Sequence, residues 1–183
     1  MANTTAKSAF LQWYEPHHQK LVRYCSSKAF GVMSAEDLVQ EAILATLANW
    51  EKIKDTDKLL GYMIGVVNNL VRNHRRRAPF RGQWSEQQLN ALESRLGDAA
   101  TALDISFLLK AIDQLPSKQA EALRLFEISG FKIKEIAALQ QSSEGAVKTS
   151  LSRARQQLRK TLAEDGRRLS VSERLQIYTS ILL

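Results

Sequence analysis

Lys148, Thr149, Ser152 and Arg153 fall close together in the stretch EGAVKTSLSRARQQLRK, Glu144 to Lys160. An arginine in such a row can donate two hydrogen bonds to the edge of a guanine, and its neighbours can meet adjacent base edges. Arg155 and Arg159 are better placed for phosphates, which supply affinity without sequence information. The chemistry these residue types offer is recognition of a polyanion rather than bond making. There is no glycine-rich phosphate loop, no metal-ligand spacing and no nucleophile with a paired base. His17, His18 and Cys25 come nearest to a ligand set, and no ligand spacing matches them. A solvated basic helix face is the ordinary alternative for the cationic row, so the surrounding elements must decide.

Those elements are helical. Val147, Leu151, Ala154 and Leu158 recur at i, i+4, i+7 and i+11, one stripe of an α-helix, and Ser143 stands where an N-cap belongs. Upstream, Ile133, Ile136, Ala137 and Leu139 form the inner side of a shorter helix, and only Gln140 to Ser142 separate the two. So short a turn makes the helices cross steeply and projects the N-terminal outer face of the second one, a geometry suited to the major groove of DNA. Short turn, cap, inner stripe and concentrated charge agree on a helix-turn-helix.

A second row lies on Lys58 to Arg77, KLLGYMIGVVNNLVRNHRRR. Leu60, Met63, Ile64, Val67, Leu70, Val71 and His74 cluster on one side, with His74 expected to be a packed, inward-pointing histidine. Tyr62, Gly65, Asn69, Arg72 and Arg76 lie on the other. That outer row joins an aromatic, an amide and two guanidiniums without an acid, the groups that stack on unpaired bases and hold phosphates. The helix before it, AEDLVQEAILATLANW, carries two apolar strips. One is Leu38, Ala42 and Ala45, and the other is Ile43, Leu47 and Trp50, so either two partners cover it or it is buried throughout.

The chain has 183 residues and a net charge of +7. Lys58 to Arg81 carries +6 and Lys132 to Leu162 carries +5, so the remainder is acidic, and two separated basic patches point to two contacts with one polyanion. No apolar run approaches the roughly 18 residues of a membrane span. MANTTAKSAF does not read as a signal peptide, and the lone cysteine fits a reducing cytoplasm. Coarse organisation is all-α. A helix is expected from Thr5 to Phe30 with a break at Gly31, then a helix capped by Ser34 with Asp37 at the capping-box position, a turn EKIKDTDK, and the helix from Lys58 to Arg77, stopped by Pro79 and Gly82. The expected division is a first domain over 5–78, a polar flexible linker over 79–101 with at most one short helix, a second domain over 102–163 and a C-terminal extension over 164–183. In the extension Ser170 and Glu173 form a capping-box pattern, and Val171, Leu175, Tyr178 and Leu182 share a stripe, which reads as an extra helix packed on the second domain, or as an inhibitor dock or a lid over the DNA-reading surface.

Across about residues 8 to 162 the chain resembles the extracytoplasmic-function (ECF) group of the sigma-70 family of bacterial RNA polymerase sigma factors. AEDLVQEAIL is similar to that family's polymerase-binding signature, and GYMIGVVNNLVRNHRRR to its next helix. AIDQLPSKQAEALRL is similar to the start of its second domain, and IKEIAALQQSSEGAVKTSLSRARQQLRK to its closing helix-turn-helix. The resemblance implies a sigma region 2 helical bundle and a sigma region 4 helix-turn-helix in a non-enzymatic, cytoplasmic subunit. It implies that Asp37, Leu38, Gln40 and Glu41 bind the clamp helices of the polymerase β′ subunit, with the β flap as a further contact. It places Tyr62, Asn69, Arg72, Asn73 and Arg76 at the −10 element, and Lys148, Thr149, Ser152, Arg153, Arg155 and Arg159 at the −35 element. It matches the turn from Lys52 to Lys58 to a loop that holds a flipped base, threads the linker through the RNA exit path, and names promoter DNA and an anti-sigma factor as further partners, with no cofactor. Three departures stand out. Tyr62 replaces the usual tryptophan, Gln141 stands where the turn usually has glycine, and Gln140 and Ser142 replace apolar residues, so a looser helix-turn-helix is expected. The competing reading is a two-domain helix-turn-helix regulator that acts without polymerase, using its first half as a sensor or dimer domain.

Overall fold

A computed structural model describes residues 2–53, 58–77, 81–163 and 169–182. Every regular element among them is helical, and the chain divides into two compact units, Met1–Trp84 and Ser85–Leu183.

The first unit holds α1 (Ala2–Tyr14), α2 (His18–Ala29), α3 (Ala35–Leu47) and α4 (Leu59–Arg77). The single helix expected from Thr5 to Phe30 is in fact two. Pro16 sits in a 3-10 turn, Glu15–His17, between α1 and α2, because a proline has no N–H to continue the α-helical ladder. His17 Nδ1 lies 2.9 Å from the Trp13 carbonyl, with the two rings stacked, and His18 Nδ1 lies 2.7 Å from the Tyr14 hydroxyl, so both histidines are engaged locally. Among the described residues no group of three His, Cys, Asp or Glu side chains could hold a metal ion. α2 ends at Gly31, whose φ of 71° lies in the left-handed region that glycine enters without a Cβ clash. Ser34 then caps α3, its Oγ accepting the Asp37 N–H at 3.0 Å.

The core of this unit is built from Phe10, Leu21, Tyr24, Cys25, Leu38, Ala42, Leu59, Met63, Ile64, Val67 and Val71, all buried. α3 packs between α2 and α4. The Tyr24 hydroxyl donates to Asn68 Oδ1 at 2.9 Å and joins α2 to α4. Trp50, in a 3-10 turn after α3 (Trp50–Lys52), sets its ring edge-on to Phe10 of α1 with centroids 5.5 Å apart. The second apolar strip of α3 is thus covered in part by the unit's own core. Burial pushes the Cys25 thiol up to about 12.

The second unit begins inside α5 (Arg81–Leu96), followed by α6 (Ala99–Asp113), α7 (Ser117–Leu123), a π-helical turn (Arg124–Ile128), α8 (Ile133–Leu139), α9 (Glu144–Ala163) and α10 (Val171–Ser180). The polar stretch expected to be a linker with at most one short helix is a 16-residue helix. It is weakly amphipathic, so periodicity could not announce it. α6 starts ahead of the expected boundary, because Asp98 caps it by accepting the Ala100 and Thr101 N–H groups at 3.3 and 3.0 Å. Pro116 stands at the N-cap of α7, as its missing N–H allows.

α10 confirms the expected extra helix. Ser170 Oγ accepts the Glu173 N–H at 3.3 Å while Glu173 Oε2 accepts the Ser170 N–H at 2.7 Å, a complete capping box. Val171, Leu175 and Tyr178 are buried against α6, the π-turn and α9. Two arginines are buried with them. Arg124 donates to Asp113 Oδ1 at 2.5 Å. Arg174 of α10 is fully buried, and its three guanidinium nitrogens have no hydrogen-bond partner among the described residues. No helix among the described residues is long and apolar enough to cross a membrane.

Candidate nucleic-acid interface

The helix-turn-helix consists of α8 and α9. Its turn closes α8 with a Schellman motif: Ser142 N–H donates to the Ala137 carbonyl at 2.9 Å and Gln141 N–H to the Ala138 carbonyl at 3.3 Å. Gln141 is the residue between, at φ 49°, and it is the one non-glycine residue with positive φ among those described. The glycine position of the turn is therefore left-handed, and glutamine bears the strain there. The turn is not simply looser for its polar residues. Gln140 Nε2 donates to the Lys118 carbonyl at 3.0 Å and to Glu121 Oε2 at 3.1 Å, tying the turn to α7, whereas the Ser142 hydroxyl is buried without a partner among the described residues. Glu135 Oε2 accepts the Lys132 N–H at 2.6 Å at the start of α8, and Ser143 Oγ accepts the Ala146 N–H at 3.1 Å at the start of α9.

Val147, Leu151, Ala154, Leu158 and Leu162 of α9 are buried against α6, α7 and α8. The helix rotation this imposes leaves Lys148, Thr149, Ser152, Arg153 and Arg159 exposed, so five of the six expected contact residues share an open surface. Thr149 Oγ1 donates to the Gly145 carbonyl at 2.9 Å, which leaves its lone pairs outward. α10 docks without covering these side chains, so it is no lid over the row as it stands. Arg155 is the exception. Its Nε donates to Glu127 Oε1 at 2.7 Å, its Nη2 bonds the same oxygen, and its guanidinium lies 5.7 Å from the centre of the Phe126 ring. It is paired within its own unit, with its side chain still 37% exposed. Periodicity could not have found this, because Glu127 reaches α9 from the π-turn.

In the first unit α4 buries Leu59, Met63, Ile64, Val67 and Val71 and turns Tyr62, Gly65, Asn69, Arg72 and Arg76 outward, all five exposed as the spacing predicts. Over 14 residues this row runs about 21 Å at 1.5 Å per residue. Asn73 is half-buried and accepts from Arg76 Nη2 at 2.8 Å, so the amide fixes one guanidinium. His74 departs from expectation. Its Nε2 lies 3.1 Å from Glu41 Oε2 and its side chain is 37% exposed, so it bridges α4 to α3 at the rim instead of packing inside. Residues 54–57 of the turn matched to a base-holding loop lie outside the described residues.

On α3, Asp37 and Gln40 are exposed and Glu41 is half-buried beside His74. Leu38 is fully buried and belongs to the core, which removes it from any surface that could touch another protein. Its place on the outer side is taken by Leu44, 66% exposed and seven residues after Asp37. The 3.6-residue period puts Leu44 on the Asp37 face, and that signal was present in the sequence.

Comparison with known proteins accounts for this layout. Residues 13–80 match the family model described as Sigma-70 region 2, and residues 108–158 match that of Sigma-70, region 4. The ECF RNA polymerase sigma factor EcfG of Rhodopseudomonas palustris is 33% identical over 133 residues, covering 72% of this chain and 73% of its own. SigL of Mycobacterium tuberculosis, also an ECF RNA polymerase sigma factor, is 30% identical over 156 residues, covering 84% of this chain and 88% of its own. BldN of Streptomyces coelicolor, a third, is 27% identical over 164 residues, covering 87% of this chain and 62% of its own. No solved structure matches the chain. With both regions matched in order and two such relatives covered over most of their length, the chain belongs to the extracytoplasmic-function group of the sigma-70 family of RNA polymerase sigma factors.

Proposed function

We propose that the protein works as its family membership implies: an alternative sigma factor that binds core RNA polymerase and directs promoter-specific initiation. The observation that carries the residue-level reading is the pair of exposed rows. One is acid-free on α4 and the other polar and basic on α9, each held outward by a buried stripe on the same helix. The α9 row reads the upstream element in the major groove. Arg153 offers a two-pronged contact to a guanine, Lys148, Thr149 and Ser152 flank it, and Arg159 holds phosphate. The α4 row meets the downstream element as strands separate, with Tyr62 positioned to stack on a base and Asn69, Arg72 and Arg76 on edges and backbone.

The Asp37, Gln40, Glu41 and Leu44 face of α3 docks on the polymerase clamp helices, and α5 and its neighbours follow the RNA exit path toward the β flap. An anti-sigma factor that covers the α3 face or the α9 row would switch the subunit off. Such work takes place on chromosomal DNA in the cytoplasm and calls for no catalysis by this chain. A regulator acting without polymerase would have no need of a base-facing row on α4, and the two matched regions disfavour it.

The test is transcription in vitro. Purified protein is added to core polymerase over a genomic DNA library and start sites are mapped. A new set of start sites sharing two spaced elements is expected. Unchanged start-site choice, together with no association with core polymerase, would refute the reading.

A further inference from the structure

Arg155 lies in one longitudinal row of α9 with Lys148, seven residues before it, and Arg159, four after it, since those separations return a helix to within about 20–40° of the same direction. Lys148 and Arg159 are exposed. Arg155 between them is turned aside by two neighbours on the π-turn, Glu127 through both Nε and Nη2, and Phe126 through its ring. The three-cation row therefore has a neutralised centre. Glu127, Arg155 and Arg159 also line a cleft of about 270 Å³ whose far wall is Val171, Ser172, Leu175, Gln176 and Thr179 of α10.

We propose that Glu127 is a positioning residue that withholds Arg155 from DNA phosphate, so that the wild-type protein grips the duplex with one phosphate contact fewer than its sequence offers. The inference rests on the reading of α9 as the DNA-binding helix. Its physical consequence is a trade of affinity for specificity. A phosphate contact adds equally to every sequence, so a cation held back lowers binding to the genome at large without touching the base-reading residues Lys148, Thr149, Ser152 and Arg153. Replacing Glu127 by glutamine keeps the size and one hydrogen-bond acceptor but removes the charge that holds the guanidinium, and Arg155 then joins Lys148 and Arg159 on the backbone.

The experiment is the salt dependence of binding, read by fluorescence anisotropy with the full chain and a labelled mixed-sequence DNA duplex. Each neutralised phosphate adds about 0.9 to the slope of log K against log salt. Glu127→Gln is expected to steepen that slope by about 0.9 relative to wild type, so that its advantage shrinks about 3.5-fold between 50 and 200 mM salt. Glu127→Gln combined with Arg155→Met is expected to lose that increment. The slope is unaffected by a fraction of unfolded protein, which lowers apparent affinity by one factor at all salt concentrations, and circular dichroism checks the fold of each variant. If wild type binds the duplex with a finite slope and Glu127→Gln does not change it, the withholding is refuted while the α9 reading stands. Arg155→Met alone flattening the wild-type slope by about 0.9 would equally refute it, by showing Arg155 already on the backbone. Failure of wild type to bind duplex DNA at all, free or with core polymerase, would bring down both.

Discussion

The strained turn of the helix-turn-helix supports a quantitative prediction. Gln141 occupies the left-handed position of the Schellman motif at φ 49°, its side chain is exposed, and its N–H bond to Ala138 is a backbone bond that any residue but proline keeps. A Cβ in that conformation costs about 1–2 kcal/mol. Glycine removes the clash but costs about 0.4–1 kcal/mol more in the entropy of the unfolded chain. Gln141→Gly should therefore stabilise the second unit by about 0.8 kcal/mol, a rise of about 3–6 °C in midpoint for a domain of 60–100 residues. The chain supplies its own control. Trp13 and Trp50 lie in the first unit, so with Trp84 replaced by phenylalanine tryptophan fluorescence follows that unit, whereas circular dichroism at the helical band follows both. Gln141→Gly should shift the dichroism transition upward and leave the fluorescence transition in place. Gln141→Ala, which keeps the Cβ, should gain nothing. An unchanged or lowered dichroism midpoint for the glycine variant, or an equal gain for alanine, would show that the turn stores no such strain.

Other outcomes follow from the same geometry. Arg174→Met should stabilise the second unit by about 1–3 kcal/mol, because it keeps the buried stem of α10 while removing a guanidinium that has no hydrogen-bond partner among the described residues; denaturant titration measures this, and a loss of stability would show that the charge is compensated. Cys25 keeps its proton in the folded state to about pH 12, whereas the unfolded thiol loses it from about pH 9. Its contribution is thus intact below pH 9 and falls by about 1.4 kcal/mol per pH unit from there toward 12; Cys25→Ala should remove that share of the alkaline slope in urea titrations. Leu44→Lys should leave the thermal midpoint within error, since the side chain is mostly in water, and lower affinity for core polymerase at least tenfold in a pull-down titration. Arg153→Ala should relax preference at one promoter position at a cost of about 1–3 kcal/mol, whereas Arg159→Ala should weaken all sequences alike, both read by binding to promoter variants.

The rows that face outward were legible because a helix converts spacing into direction. Once Val147, Leu151, Ala154 and Leu158, or Met63, Ile64, Val67 and Val71, must be buried, the directions of Arg153 and of Tyr62, Asn69, Arg72 and Arg76 are settled. Caps at Ser34, Ser143 and Ser170 and the break at Gly31 were legible for the same local reason, as each depends on a few consecutive residues, whereas the glycine position that Gln141 fills came from the family resemblance. What required the tertiary structure involves partners far along the chain. Arg155 and Arg159 read alike in sequence, yet Glu127, 28 residues from Arg155, is brought beside one of them by the π-turn. His74 is drawn to the rim by Glu41 across 33 residues, and α5 forms from a stretch whose own periodicity is weak. The local periodicity of a helix determines which side chains share a face, but only the juxtaposition of elements determines which charges on that face are already answered.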